Sequence, residues 1–176
     1  MSGHNKWSKI KNKKGVEDAK RSQKFSKLSK LITSVSKRVD GNTTSPELVA
    51  IVEIAKKENM PKDTIERAIK KGTDSNTTSM ESVLYETYGP GGTAIMIEGL
   101  TDNKNRTAAE IRHILSKNGF DLAQPGSASW AFSKENGKWI ANTLVDLSDE
   151  DLEKLSNLVD ILEELEDVQE VFTNAE

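Results

Sequence analysis

From Val16 onward, Ala19, Phe25, Leu28, Leu31, Ile32, Val35 and Val39 recur at helical spacing with lysines between them. That stripe predicts an amphipathic helix of about six turns, ending at Asp40-Gly41. After the polar Asn42-Thr43-Thr44, Ser45 suits an N-cap and Pro46 the first helical position. Leu48, Val49, Val52 and Ala55 then make one face of a second helix. A break at Asn59-Met60 precedes Pro61, which opens a third helix carrying Ile65, Ala68 and Ile69 and expected to stop at Gly72. Three helices with short connections predict a small bundle over residues 16–72.

Thr73 to Ser79 has no apolar anchor, and the domain boundary is expected there, giving domains 1–75 and 76–176. The texture then turns β-like in Ser82–Tyr88 and Thr93–Leu100, on either side of Gly89-Pro90-Gly91-Gly92. Thr101 or Asp102 is expected to cap a helix through Lys117, with Ala108, Ile111, Ile114 and Leu115 inward and Gly119 at its end. His113 falls among these apolar residues and reads as a partly buried hydrogen-bonding group. Ala128–Phe132 reads as a short strand, Lys134–Gly137 as a turn and Lys138–Leu147 as another strand. Ser148 opens a helix whose first turn holds Asp149, Glu150 and Asp151, a placement that complements the helix dipole. Leu152, Leu155, Leu158, Val159, Leu162 and Leu165 form its stripe, and Val168–Phe172 is a last strand. The predicted fold class is α+β: a basic arm and three-helix bundle, then an α+β domain with a mainly antiparallel sheet.

Charge changes this picture most. The first forty residues carry twelve bases against three acids, a local +9, although the whole chain is −3. From Ser148 to Glu176 there are eleven acids against Lys154 alone, a local −10. Dense like charge repels itself in the folded state, and a polyanionic partner is the simplest reason for it. Lysines that neutralise phosphates gain affinity by releasing condensed counterions. The candidate nucleic-acid contacts are His4, Lys6, Trp7, Lys9, Lys11, Lys13 and Lys14 of an arm over residues 1–15, followed by Lys20, Arg21 and Lys24. Trp7 suits either stacking on a base or anchoring the arm on the bundle. The acidic end either repels nucleic acid and so orients the basic end, or docks on it.

Two further stretches offer donors. Tyr88-Gly89-Pro90-Gly91-Gly92 reads as a tight turn, with an anion-binding nest as the alternative. Lys104, Asn105 and Arg106 lie where a strand meets a helix and make a possible second contact, with capping and surface polarity as the alternative. The chain has two histidines and no cysteine. It has no P-loop, no GxSxG and no metal-spaced cluster, so neither an enzyme nor a cofactor or metal is expected. No apolar run approaches the roughly 18 residues of a membrane span, and a cytoplasmic protein is expected.

Several stretches together resemble the YebC family. They are GHNKWSKIK at 3–11, NMPKDTIERAIKKG at 59–72, YETYGPGGTAIMIEGLTDNKNRTAAEIRH at 85–113 and LVDILEELEDVQEVFTNAE at 158–176. That family of transcriptional regulators includes the bacterial regulator PmpR and the mitochondrial translational activator of cytochrome oxidase. The resemblance implies an N-terminal helical domain, an α+β domain, a cytoplasmic location in bacteria, nucleic-acid binding and no catalysis. Members are treated as DNA-binding regulators and as ribosome-associated factors that help translation through stretches such as consecutive prolines. They normally carry a further α/β domain between the segments that match SWAF and KWIANT. Here only Ser133–Lys138 separates Phe132 from Trp139, so that domain is expected to be absent between about 133 and 138.

The expected function is therefore a non-enzymatic regulator of gene expression that binds DNA, ribosomal RNA or the ribosome. It is expected to be a monomer with no membrane or small-molecule partner. The rival, from another class, is a protein-interaction adaptor that docks through the acidic C-terminal helix.

Overall fold

A computed structural model describes residues 6–13 and 17–176, the side chains of Asn12, Lys13 and Glu17 excepted. Among them the elements run, in chain order, α1 (Lys6–Lys13), α2 (Glu17–Arg38), α3 (Pro46–Lys57), α4 (Lys62–Thr73), β1 (Glu81–Tyr88), β2 (Ala94–Thr101), α5 (Lys104–Lys117), β3 (Phe132–Glu135), β4 (Lys138–Ala141), α6 (Asp149–Glu164) and β5 (Val168–Thr173). The fold class is α+β, as the periodicity predicts.

Two compact units divide the chain. One is helical, Gly15–Glu81; the other joins α1 to Ser82–Glu176. The first helix thus groups with the α+β unit and not with the three-helix bundle that follows it in sequence.

In the helical unit, Leu28, Ile32 and Val35 of α2 bury against Leu48, Ile51 and Ala55 of α3 and Ile65 and Ala68 of α4. These are the predicted stripes, and burying apolar area is what holds the bundle together. The α2–α4 contact is close. Thr33 Oγ1 donates to Ala68 O at 3.1 Å and Ser36 Oγ to Ile69 O at 2.7 Å. Gly72 lies inside α4, not beyond it, because a Cβ there would sit 2.5 Å from Ser36 Cβ and 2.6 Å from Thr33 O. Its role is close approach. Ser45 takes the N-cap position of α3, but its hydroxyl makes no capping bond. Asn42 Oδ1 instead accepts from Thr44 N and Oγ1 and closes the preceding loop.

In the α+β unit the strand order is β1-β2-β5, with β2 and β5 antiparallel from Ile95↔Thr173 to Gly99↔Val168. Side chains alternate faces along a strand. Ile95 and Ile97 accordingly join Ile111 and Leu115 of α5 and the Leu152–Leu162 stripe of α6. Ala94 and Met96 face a second, smaller cluster with Ala128, Ala131 and Phe132. Because both faces of β2 are covered, it reads as an unbroken apolar run.

β3 and β4 form an antiparallel hairpin in the register Glu135↔Lys138. Its two-residue turn places Asn136 at φ 49° and Gly137 at φ 80°, the left-handed pair that a tight hairpin requires.

Two strand expectations are corrected. Residues 128–131 curl into a 3-10 turn, Ser129–Ala131, because the buried Glu86 carboxylate gathers the N–H groups of Gly126, Ala128 and Ser129 at 2.7–2.9 Å. The strand after the hairpin stops at Ala141. Beyond it Asn174 takes over, its Nδ2 donating to Thr143 O and its backbone O accepting from Val145 N.

Candidate nucleic-acid interface

α1 has two apolar residues, Trp7 and Ile10, at helical spacing on an otherwise polar and basic segment. Trp7 is only 9% exposed and belongs to the core of the α+β unit, with Ile10 packed beside it. That burial fits the anchoring role of the two open to it, with a seat in the α+β core and not the bundle. The lysines stay outside. Lys9 is exposed. Lys6 Nζ lies 3.9 Å from Asp146 and Lys11 Nζ 3.6 Å from Glu163, both at exposed or half-exposed positions. Ion pairs of this kind contribute about 0–1 kcal/mol and are readily exchanged for other anions. The basic segment is thus a short rod on the acidic helix α6. Lys13 ends α1, while His4 and Lys14 lie outside the described residues.

The remaining first-stretch candidates are on α2, in the other unit. Lys20 is exposed, the Arg21 guanidinium stands 5.4 Å from the centroid of the Phe25 ring, and Lys24 Nζ pairs with Glu58 at 2.6 Å.

The possible second contact at Lys104, Asn105 and Arg106 has a different character. Asn103, not Thr101 or Asp102, caps α5, its Oδ1 accepting from Arg106 N at 3.1 Å. Thr101 helps from within, its Oγ1 accepting from Asn103 N at 2.9 Å. Arg106 directs its guanidinium inward, to Asp167 Oδ2 at 2.6 Å and Asp102 Oδ1 at 2.8 Å. Asp167 is 3% exposed, and the same Oδ2 also accepts from Thr101 and Thr107 hydroxyls. The bond to Asp167, then that to Asp102, holds the Arg106 pKa above its ordinary value. A buried carboxylate needs such a partner, and removing it would leave an uncompensated charge. Arg106 is therefore committed to its own fold, which favours the capping alternative. Lys104 and Asn105 are exposed at the helix start.

At Gly89–Gly92 the N–H groups of Gly89 and Gly92 are used within the turn, donating to Thr93 O and Gly89 O. Gly91 has φ 64°, and a Cβ there would meet Leu147 Cδ2 at 2.3 Å. The turn reading fits these bonds; the nest would lack its donors. His113 is exposed on α5, contrary to the expected partial burial, because Ile111 and Leu115 turn the other way into the core.

Sequence reasoning passed over two features. Arg67, Lys70 and Lys71 form an exposed basic face on α4, and their i, i+3, i+4 spacing opposite Ile65 and Ala68 was the available signal. Trp130 is 61% exposed, its Nε1 donating to Tyr88 Oη at 2.8 Å, while Tyr88 Oη donates to Ser127 O. No local pattern announces that pair. Among the described residues, no group of three His, Cys, Asp or Glu is placed to hold a metal ion. Nor is any helix among them long and apolar enough to cross a membrane.

Comparison with known proteins agrees with this architecture. The family described as TACO1/YebC protein N-terminal domain matches residues 5–75. TACO1/YebC second and third domain matches residues 80–137 and 134–175, two segments that meet at the β3–β4 hairpin. A "Probable transcriptional regulatory protein" of Fervidobacterium nodosum is 50% identical over 152 residues, covering 85% of this chain and 60% of the relative. One from Desulfosudis oleivorans is 38% identical over 237 residues, covering 99% of this chain and 96% of the relative. The chain spans about 60% of the length of the Fervidobacterium nodosum and Petrotoga mobilis relatives. The crystal structure of the conserved hypothetical protein Aq1575 from Aquifex aeolicus superposes with a TM-score of 0.79 at 30% identity, covering 93% of each chain. With family matches along nearly its whole length and the fold of a solved structure at that identity, this chain belongs to the TACO1/YebC family.

Proposed function

We propose that this protein is a non-enzymatic, nucleic-acid-binding regulator of gene expression, acting in the cytoplasm as a monomer through the lysines of α1 and the first turns of α2. The observation that carries the reading is the anchoring of α1. Burial of Trp7 fixes a helix whose Lys6, Lys9 and Lys11 remain at the surface, so the cations are held in place before any phosphate arrives. Pre-ordering of this sort lowers the entropic cost of binding. The names of the relatives favour transcription and hence DNA. Lysines act as point charges on phosphate and carry little base information, which suits ribosomal RNA equally well. The adaptor alternative, docking through α6, draws less support because it leaves the lysines held at the surface of α1 unexplained.

We further read the chain as a reduced member of its family. Alignment with the Desulfosudis relative runs over 237 positions, more than the 176 residues present here. The Asn136-Gly137 turn stands where the two family segments meet. Functions that reside in the additional sequence of longer relatives are not expected of this chain.

The test is a salt titration of binding with Lys6, Lys9 and Lys11 changed together to Gln. Each lost phosphate contact flattens the slope of log K against log salt by about 0.7 (single strand) to 0.9 (duplex). An unchanged slope would sink the α1 assignment. Competition between a promoter duplex and ribosomal RNA at physiological salt then decides between the two polymers. Truncating the first fourteen residues is a poorer test, because it also removes Trp7 from the core.

A further inference from the structure

Several cations of the helical unit sit in ion pairs. Lys24 pairs with Glu58, Arg38 with Glu47, Lys56 with Glu53 and Lys62 with Glu66, at 2.6–3.6 Å. Arg67, Lys70 and Lys71 form no such pair among the described residues, yet they share one face of α4. Residues three and four apart on a helix have Cβ atoms about 5–6 Å from one another, so the three positive charges share about one turn of the helix surface. With Thr73 and Asp74 they line an open surface hollow of about 490 Å³.

The ordinary reason for lysines in a last turn is to complement the helix dipole and its free carbonyls. Here hydroxyls do that work. Thr73 Oγ1 donates to Lys70 O at 2.7 Å and Thr77 Oγ1 to Lys71 O at 2.6 Å. Among the described residues the Lys70 and Lys71 ammonium groups make no ion pair. Asp74 places one carboxylate in the hollow, its Oδ1 accepting from Asn76 N at 2.9 Å, so the lining carries three cations and one anion. The backbone beneath is tied to α2 by the Thr33 and Ser36 hydroxyls and by the close packing at Gly72. A solvated face is the ordinary alternative; three like charges along one turn beside an open hollow are what point to a polyanion.

We infer that Arg67, Lys70 and Lys71 of α4 form a second binding site for the phosphodiester backbone of a nucleic acid. Arg67, whose Nε donates to Asp63 O and Nη2 to Thr64 Oγ1 at 3.3 Å each, turns its remaining N–H groups to one phosphate, and the lysines supply point charges for its neighbours. The site is sequence-independent by its chemistry. It rests on the nucleic-acid reading proposed above and adds a contact surface on a different element.

The experiment compares Arg67→Gln/Lys70→Gln/Lys71→Gln with the α1 triple variant and with Lys62→Gln, which removes a paired cation from the same helix. Probes are a mixed-sequence single-stranded RNA of about 30 nucleotides and a duplex DNA of equal length, titrated over 50–200 mM salt; circular dichroism confirms that each variant is folded. The α4 variant should flatten the log–log slope by about 2–2.7. Lys62→Gln should leave it unchanged, and Arg67→Lys with both lysines kept should restore most of it. Loss on RNA alone, or on DNA alone, shows which polymer the α4 face contacts. A slope that falls in the α1 variant but not in the α4 variant overturns this inference and leaves the proposed function standing. No salt-dependent binding of the unaltered chain to either polymer overturns both.

Discussion

Glu86 sits nearly buried under the loop that leads into β3, at 5% exposure, with the Gly126, Ala128 and Ser129 N–H groups on its carboxylate. Burial alone would raise its pKa, but these bonds favour the charged form and hold it below the ordinary value. A carboxyl depressed in this way contributes stability that is fully present above its unfolded pKa of about 4.3 and is lost as pH falls through the lower folded value. Glu86→Gln should therefore cost about 1–3 kcal/mol at neutral pH, the penalty for leaving buried donors without a full partner. That cost should shrink below about pH 4 as the wild-type carboxyl takes up its proton. Thermal melts of both proteins from pH 7 to pH 3 check this, and a constant gap between them would show that the loop is not held by the charge.

Among the elements, those with a strong internal period were legible: α2 and α4 from their apolar stripes, α6 from its leucines and acidic first turn, the hairpin from Asn136-Gly137. α1 was not, because two apolar residues among lysines look like an arm until α6, far along the chain, supplies their core. The buried acids escaped for the same reason: Asp167 and Arg106 are 61 positions apart, Glu86 and Gly126 40. Gly72 gives the same local signal whether it ends a helix or lets two backbones meet. What holds α1 in place can be tested directly. Among the described side chains, its ion pairs to Asp146 and Glu163 are long and exposed or half-exposed, worth about 0–1 kcal/mol each and screened by salt. Burying the Trp7 side chain is worth more, at about 25 cal/mol per Å². In a Trp130→Phe/Trp139→Phe background, Trp7 emission should therefore stay blue-shifted up to about 1 M salt, well past the concentration at which such pairs are screened. A red shift on adding salt would mean that the ion pairs, not the ring, carry the contact.

At the scale of the whole molecule, two hydrophobic cores share no residue, and the chain enters the α+β unit at α1, leaves it for the helical unit and returns at Ser82. Separate cores are expected to unfold as separate cooperative units, so a single two-state transition is not the default. Gly72→Ala places a Cβ against Ser36 and Thr33 O and should destabilise the helical unit by about 1–3 kcal/mol. For a unit of that size this lowers its melting temperature by roughly 4–8 °C per kcal/mol. Trp7→Ala opens a cavity in the other core at a cost of about 3–5 kcal/mol. Although Trp7 precedes the bundle in sequence, its loss should move only the transition of the α+β unit. Differential scanning calorimetry of the two variants reads both effects at once. If each substitution shifted the same endotherm by a comparable amount, the cores would be energetically one.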